Sequence, residues 1–301
     1  MRYSDIQRIL AEALNGLYPV REIDSIGRLV LESLTGLSWV QIRLNQANQL
    51  PPDQESHLSD IIVRLKMHEP IQYILGETEF YGLKINVKSG VLIPRGETEE
   101  LVEWILTTFA GMTSEVEPVG KRLRILDIGC GSGAIAIALA KHLPDAEVVA
   151  SDISEAVLQL TKENAGINKV ELSIAYFNIL TLDSLVIPAE AGTPSLTTKP
   201  FDIIVSNPPY VPLSEMTSMD LHVIRYEPEM ALFVPDANPL LFYKAIAEFA
   251  ASNLNPGGQV YVEIHDRLGE ETAEIFRKWF SKVELHKDIH GKDRMIRAYH
   301  G

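Results

Sequence analysis

The chain has 301 residues, 46% of them apolar and 23% charged, with 27 basic and 41 acidic side chains and a formal charge of −14. That length suits one large domain plus a smaller one, and those proportions exclude a disordered or membrane-embedded chain. The acidic balance repels nucleic-acid phosphate unless a local basic face overrides it, so no direct nucleic-acid substrate is expected and a small molecule or protein is favoured.

Residues 1–75 read as a small helical bundle. Ile6, Ile9, Leu10, Ala13, Leu14 and Leu17 share one helical face, and the stripe recurs through Ile23, Ile26, Val30, Leu34 and Leu37 and again through Leu58, Ile61, Ile62 and Leu65. Short amphipathic helices can bury such stripes only against one another. From 76 to 94, "GETEFYGLKINVKSGVLIP", the apolar positions Phe80, Leu83, Ile85 and Val87 with glycines at the bends predict a β-hairpin linking two domains. A helix with an acidic first turn follows over 97–109. Residues 95–301 then alternate strand and helix: "RILDIG", "EVVASD", "LSIAYFN", "FDIIVSN" and "QVYVEI" are strands with helices between them. This predicts an α/β domain with a mostly parallel sheet. Two closing strands, "KVELHK" and "RMIRAYH", flank a polar turn at Gly291 and should pair antiparallel at one edge. Residues 185–200, rich in Pro, Ser and Thr, read as an inserted surface loop.

No apolar run approaches a membrane span, and residues 1–10 are an amphipathic opening rather than a signal peptide, so a cytoplasmic protein with no membrane partner is expected. The single cysteine, Cys130, excludes an internal disulfide and suits a reducing compartment. Of eight histidines only His286 and His290 have helix-like spacing, in a stretch that reads as strand and turn, so no metal site is expected.

"LDIGCGSGAIAIALA" (126–140) sets Gly129, Gly131 and Gly133 between a buried strand and a helix. Glycines let the backbone turn tightly and approach an adenosyl cofactor, while free N–H groups at the helix start favour an anion such as a carboxylate. Asp152, ending the next strand, is placed to accept hydrogen bonds from ribose hydroxyls. The same glycines with Ala134 also fit the dinucleotide-binding fingerprint, and a plain α/β turn is the third reading. Asp127 shifts the balance, because a carboxylate there can hold the ammonium end of a methionine moiety but would repel a pyrophosphate. Asn178, ending the third strand, could reach an adenine amino group with Ile179 beside the ring; a turn asparagine is the equal alternative.

In "IIVSNPPYVP" (203–212) a buried strand runs into Asn207, Pro208 and Pro209, and the two prolines remove consecutive backbone donors. The side-chain oxygen of Asn207 and the carbonyl of Pro208, both facing a pocket, would match the two hydrogens of an –NH₂ group, with Tyr210 over its flat face. An amide nitrogen is a poor nucleophile, but it gains positive charge as it attacks a sulfonium methyl. Acceptors on its hydrogens therefore bind the transition state more tightly than the ground state. The plain alternative is a proline-rich strand exit. Arg95, Glu97 and Glu99 lie near the presumed mouth or form an exposed ion-pair cluster, and Glu227 and Glu229 read as loop charges.

"EPIQYILGETEFYGLKINVKSGVLIPRGETEELV" (69–102), "DIGCGSGAIAIALA", "SNPPYV" and "RYEPEMALF" together resemble the release factor glutamine methyltransferases, from about residue 60 to the C-terminus. The resemblance implies a class I methyltransferase (Rossmann-like) fold, S-adenosylmethionine as donor, and methylation of the glutamine in the Gly-Gly-Gln motif of peptide chain release factors. It also implies that Gly129, Cys130, Gly131, Ser132, Gly133, Asp152 and Asn207 contact the cofactor. Asn207, Pro208, Pro209 and Tyr210 would hold the glutamine, with Asn207, Pro208 and Tyr210 catalytic. The helical N-terminal domain would grip the release factor, and a monomer is expected. Departures are Gly96 where the family has proline, Asn178 for an aspartate, Ile179 for an often aromatic neighbour, and "FVPDANPLLFY" for a glycine-rich segment. Two rivals stand beside this reading. "NPPY" is shared with adenine-N6 methyltransferases of DNA and RNA, which would need a basic face, and a cofactor-holding module that binds translation factors without catalysis would carry the same pocket.

Overall fold

The computed structural model describes residues 1–110, 122–186 and 199–301. The chain divides into two compact units, one of residues 1–77 with 220–226 and one of residues 78–219 with 227–301.

The smaller unit is helical. It holds α1 (Tyr3–Leu14), α2 (Val20–Thr35), α3 (Trp39–Leu44), α4 (Pro52–Lys66) and α5 (Ile71–Leu75). Ile6, Leu10 and Leu14 of α1 pack with Ile23, Ile26 and Val30 of α2 and Leu58, Ile61 and Leu65 of α4 in one core. Leu17, expected on the first stripe, is 42% exposed, because α1 stops at Leu14 and Gly16 turns the chain with φ 80°. Gly36 ends α2 in the left-handed conformation, donating its N–H to the Glu32 carbonyl at 2.9 Å.

The larger unit opens with the hairpin β1 (Glu77–Phe80) and β2 (Leu83–Asn86). Its two-residue turn, Tyr81 and Gly82, has φ of 50° and 71°, the left-handed pair that matches strand twist. The hairpin is no free linker. Asn164 accepts the N–H of Asn86 and donates to its carbonyl, and Asn168 donates to the carbonyl of Lys84. The chain continues through α6 (Gly96–Ala110), β3 (Arg124–Ile128), α7 (Ala134–His142), β4 (Glu147–Asp152), α8 (Glu155–Asn168), β5 (Ser173–Asn178), β6 (Asp183–Val186) and β7 (Phe201–Ser206). After β8 (Val211–Pro212), a 3-10 turn (Leu213–Ser218) and α9 (Leu221–Tyr226) come α10 (Glu229–Leu232), β9 (Phe233–Val234), α11 (Leu241–Asn253), β10 (Leu254–Glu263), α12 (Gly269–Arg277), β11 (Lys282–Lys287) and β12 (Asp293–Tyr299). The short helix α9 belongs to the smaller unit, where the Tyr226 hydroxyl donates to the Met67 carbonyl at 2.9 Å.

Eight strands form one sheet in the order β11-β12-β10-β7-β3-β4-β5-β6. The central five, β10 to β5, run parallel, and β12, β11 and β6 run antiparallel to their neighbours. Every residue of β3 and β7 is buried, as strands covered by helices on both faces require. The closing pair sits at an edge as the sequence predicts. At the opposite edge, β6 takes in Leu185 and Val186, the first two residues of the expected 185–200 loop; 187–198 of that loop fall outside the described residues. No helix among the described residues is long and apolar enough to cross a membrane.

Candidate active site

The chain winds outward from β3 through β4 to β5, then returns to lay β7 on the other side of β3. Ligands of such sheets bind beyond the carboxyl ends of the strands at that reversal. There the two strands end level, Ile128 opposite Ser206, and the Ser206 hydroxyl donates to the Ile128 carbonyl at 2.7 Å. A cavity of ≈ 400 Å³ opens beside them, within the roughly 300–1,000 Å³ of ordinary small-molecule sites.

One wall is main chain. Gly129, Gly131 and Gly133 have φ of 71°, 55° and 83°, a region that strains any residue with a Cβ. The N–H groups of Gly129 and Cys130 donate to the Ser151 carbonyl at 2.8 and 2.9 Å, which ties this turn to the end of β4. Gly129, Cys130, Gly131 and Ser132 line the cavity. Gly133 does not, which corrects its expected contact with cofactor. A Cβ there would stand 2.6 Å from Thr161 Cγ2, so this glycine lets α7 approach α8.

Asp152 lines the cavity, with Oδ2 accepting the Gly131 N–H at 3.2 Å and Oδ1 accepting the Ser154 N–H at 3.0 Å. Burial raises its carboxyl above the usual range, and these backbone donors oppose that. Asn178 lines the cavity between Phe177 and Ile179 and also makes the turn, its Oδ1 accepting the Leu180 N–H at 3.0 Å. The turn reading of that asparagine therefore holds, and its side chain stands at the cavity wall.

Asp127 departs from expectation. It is fully buried and absent from the cavity wall; Oδ2 accepts the N–H of Ala136 in the first turn of α7 at 3.1 Å. Oδ1 is enclosed and, among the described residues, unpaired. Direct contact with an ammonium group is thus corrected to a cap on the helix that follows the glycine turn. Burial pushes this carboxyl up to about 7, the Ala136 N–H opposing and the Asp152 charge adding to the rise.

The opposite wall is built from side chains. Asn207, Pro208 and Pro209 line the cavity as β7 ends. Asn207 Nδ2 donates to Thr98 Oγ1 at 3.1 Å, and Thr98 donates to Glu263 Oε2 at 2.6 Å. Among the described residues neither Asn207 Oδ1 nor the Pro208 carbonyl accepts a hydrogen bond. Tyr210 is not on the wall, contrary to the expected stacking role; its hydroxyl donates to Glu263 Oε1 at 3.0 Å and its ring meets His265 edge-on at 6.1 Å. Glu263 is 1% exposed at the end of β10, and burial raises its carboxyl while Thr98, Tyr210 and Arg294 pull it back.

Arg95 also lines the cavity and donates to Glu227, a fully buried carboxylate that accepts the Ile93 N–H at 3.2 Å as well. Glu227, read from sequence as a loop charge, therefore anchors this stretch of wall, and removing Arg95 would strand its buried charge. Glu99 accepts the Tyr81 N–H at 2.7 Å instead of facing the mouth, and Glu229 is exposed. Thr98 and Glu263 were missed altogether. The one available signal was an acidic residue, Glu263, following the apolar run Val260 to Val262 in the strand "QVYVEI".

Two family models match the chain, Methyltransferase small domain over residues 112–225 and PrmC N-terminal domain over residues 6–76. The release factor glutamine methyltransferase of Flavobacterium psychrophilum is 43% identical over 288 residues, 95% of each chain. Those of Bacteroides thetaiotaomicron and Lactococcus lactis are 39% identical over 294 residues and 43% identical over 269, covering 97% and 88% of this chain and 98% and 89% of theirs. At such identity over nearly its whole length, this chain belongs to the release factor glutamine methyltransferase family.

Proposed function

We propose that the protein transfers a methyl group from S-adenosylmethionine to the side-chain nitrogen, N5, of the glutamine in the Gly-Gly-Gln motif of peptide chain release factors. It acts as a cytoplasmic monomer in translation termination and takes no nucleic acid as direct substrate. The carrying observation is that Asn207 and Pro208 line the same cavity as the glycine turn, while Asn207 Oδ1 and the Pro208 carbonyl accept no hydrogen bond among the described residues.

The cavity suits the donor. Glycines without Cβ atoms, the Asp152 carboxylate and the apolar pair Phe177 and Ile179 around Asn178 offer a close main-chain approach, an acceptor for hydroxyls and a slot for a flat ring. Bound there, S-adenosylmethionine supplies a sulfonium methyl. Asn207 and Pro208 take one hydrogen each of the incoming –NH₂ and hold its nitrogen towards that methyl. As the N–C bond forms and the S–C bond breaks, positive charge builds on the nitrogen, so both acceptors tighten. The proton then becomes acidic enough to leave to solvent without a strong base. A carboxylate in place of the amide has no hydrogen to offer and faces two oxygens, which rejects glutamate.

The test is transfer of radiolabel from the donor to intact release factor or to nucleic acid. Label on the wild-type release factor and none on a Gln→Glu substrate is expected. Labelled nucleic acid with unlabelled release factor would favour the adenine-N6 reading instead.

A further inference from the structure

The proposed site needs one thing the sequence does not guarantee, namely that Asn207 present its oxygen, rather than its –NH₂, to the substrate. A primary amide can turn either way at little steric cost, so its direction is set by its neighbours. Among the described residues, Nδ2 meets only Thr98 Oγ1, at 3.1 Å. A hydroxyl can donate or accept, so Thr98 alone would tolerate both orientations.

Glu263 removes that freedom. Its Oε2 stands 2.6 Å from Thr98 Oγ1 and its Oε1 stands 3.0 Å from the Tyr210 hydroxyl. As a carboxylate, Glu263 accepts from both hydroxyls at these distances. An ionised carboxylate only accepts, so both hydroxyl hydrogens point at Glu263. With its hydrogen committed, Thr98 can only accept from Asn207. Nδ2 is then held inward and Oδ1 is left for the cavity.

We propose, on the reading of the site given above, that Glu263 acting through Thr98 is the positioning pair that fixes the polarity of Asn207 and thereby selects an –NH₂-bearing substrate. Glu263 lies 165 residues from Thr98 in sequence and is 1% exposed. It is a fully buried acid at the end of a central strand, and this role accounts for its place there. Tyr210, assigned from sequence to cover the substrate, serves instead as a second donor that helps keep the carboxylate ionised.

The test uses the full chain with intact release factor, measuring kcat, KM for release factor, cofactor dissociation constant and melting temperature. Thr98→Val removes the hydroxyl at nearly constant shape and is expected to lower kcat 10-fold or more, with cofactor affinity within two-fold of wild type. Thr98→Ser restores the hydroxyl and is expected to recover kcat to within three-fold. Glu263→Met removes both acceptors at similar length and is expected to lower kcat 10-fold or more in protein shown to be folded by its melting curve. Equal kcat for the Val and Ser variants, or wild-type kcat in a folded Glu263→Met protein, would overturn the polarity role. A fall in kcat matched by loss of cofactor binding in Thr98→Val would show a packing role only. If wild type itself fails to label release factor, the functional reading has failed, and the variants are not at issue.

Discussion

The two walls of the cavity are made in opposite ways. The glycine turn is a main-chain object, fixed by three positive φ angles and by hydrogen bonds to the adjacent strand end. The Asn207 wall is a side-chain object, held through Thr98 and Glu263, which stand 109 and 165 residues apart along the links Asn207–Thr98 and Thr98–Glu263. A wall of the first kind tolerates little change in backbone but carries little chemistry. One of the second kind, to which the proposed function assigns the chemistry, depends on hydrogen-bond direction.

The largest effect should come from removing an acceptor. Asn207→Ala is predicted to lower turnover by ~10²-fold or more, as loss of one preorganised polar contact does elsewhere, with melting temperature and cofactor affinity close to wild type. Turnover within three-fold of wild type would break the contrast, because Asn207 would then be no more than a strand exit.

The second prediction concerns the base of the glycine wall. Asp127 is held up to about 7 by burial, against an ordinary carboxylate value when unfolded. The native state therefore keeps a proton that the unfolded chain has lost. Its contribution is fully present below about pH 4 and is lost as pH rises through 7. Between pH 5 and 8 the loss is on the order of 2–3 kcal/mol. Asp127→Asn keeps an acceptor for the Ala136 N–H and should flatten this part of the pH–stability curve in denaturant titrations. An unchanged slope would mean that the carboxyl is ionised throughout.

Gly133→Ala should cost about 2 kcal/mol, combining left-handed strain with the clash on Thr161. Thr161→Ser removes the methyl that the new Cβ would strike, so the double variant should regain part of that loss in thermal melts. A simple sum of the two single effects would show that backbone strain alone acts there. The smallest effect is expected at Gly96, the first residue of α6. Gly96→Pro should add roughly 0.5 kcal/mol by stiffening the unfolded chain at a position that proline suits, with turnover within two-fold.

This difference also sets what the sequence could reveal. The parallel sheet, the glycine turn, Asp152 and the Asn207–Pro209 exit were legible because each depends on neighbours in the chain: alternation, helix caps and missing N–H groups. Thr98, Glu227 and Glu263 were not, since their partners lie 109 to 165 residues away and only the folded sheet brings them together. Asp127 and Tyr210 were misplaced for a related reason. Proximity in sequence to a binding motif says nothing about which side of the strand a side chain takes, and both turn away from the cavity to polar partners of their own. Gly133 had its conformation read correctly, while its neighbour across the fold, Thr161, decides its role.

A crystal structure of the protein with S-adenosylhomocysteine and a glutamine-bearing release factor peptide tests the central claim most directly. The account predicts the glutamine nitrogen about 2.7–3.2 Å from both Asn207 Oδ1 and the Pro208 carbonyl oxygen, with Asn207 Nδ2 still on Thr98. A glutamine nitrogen lodged elsewhere, or Asn207 reversed so that its –NH₂ faces the peptide, would contradict it.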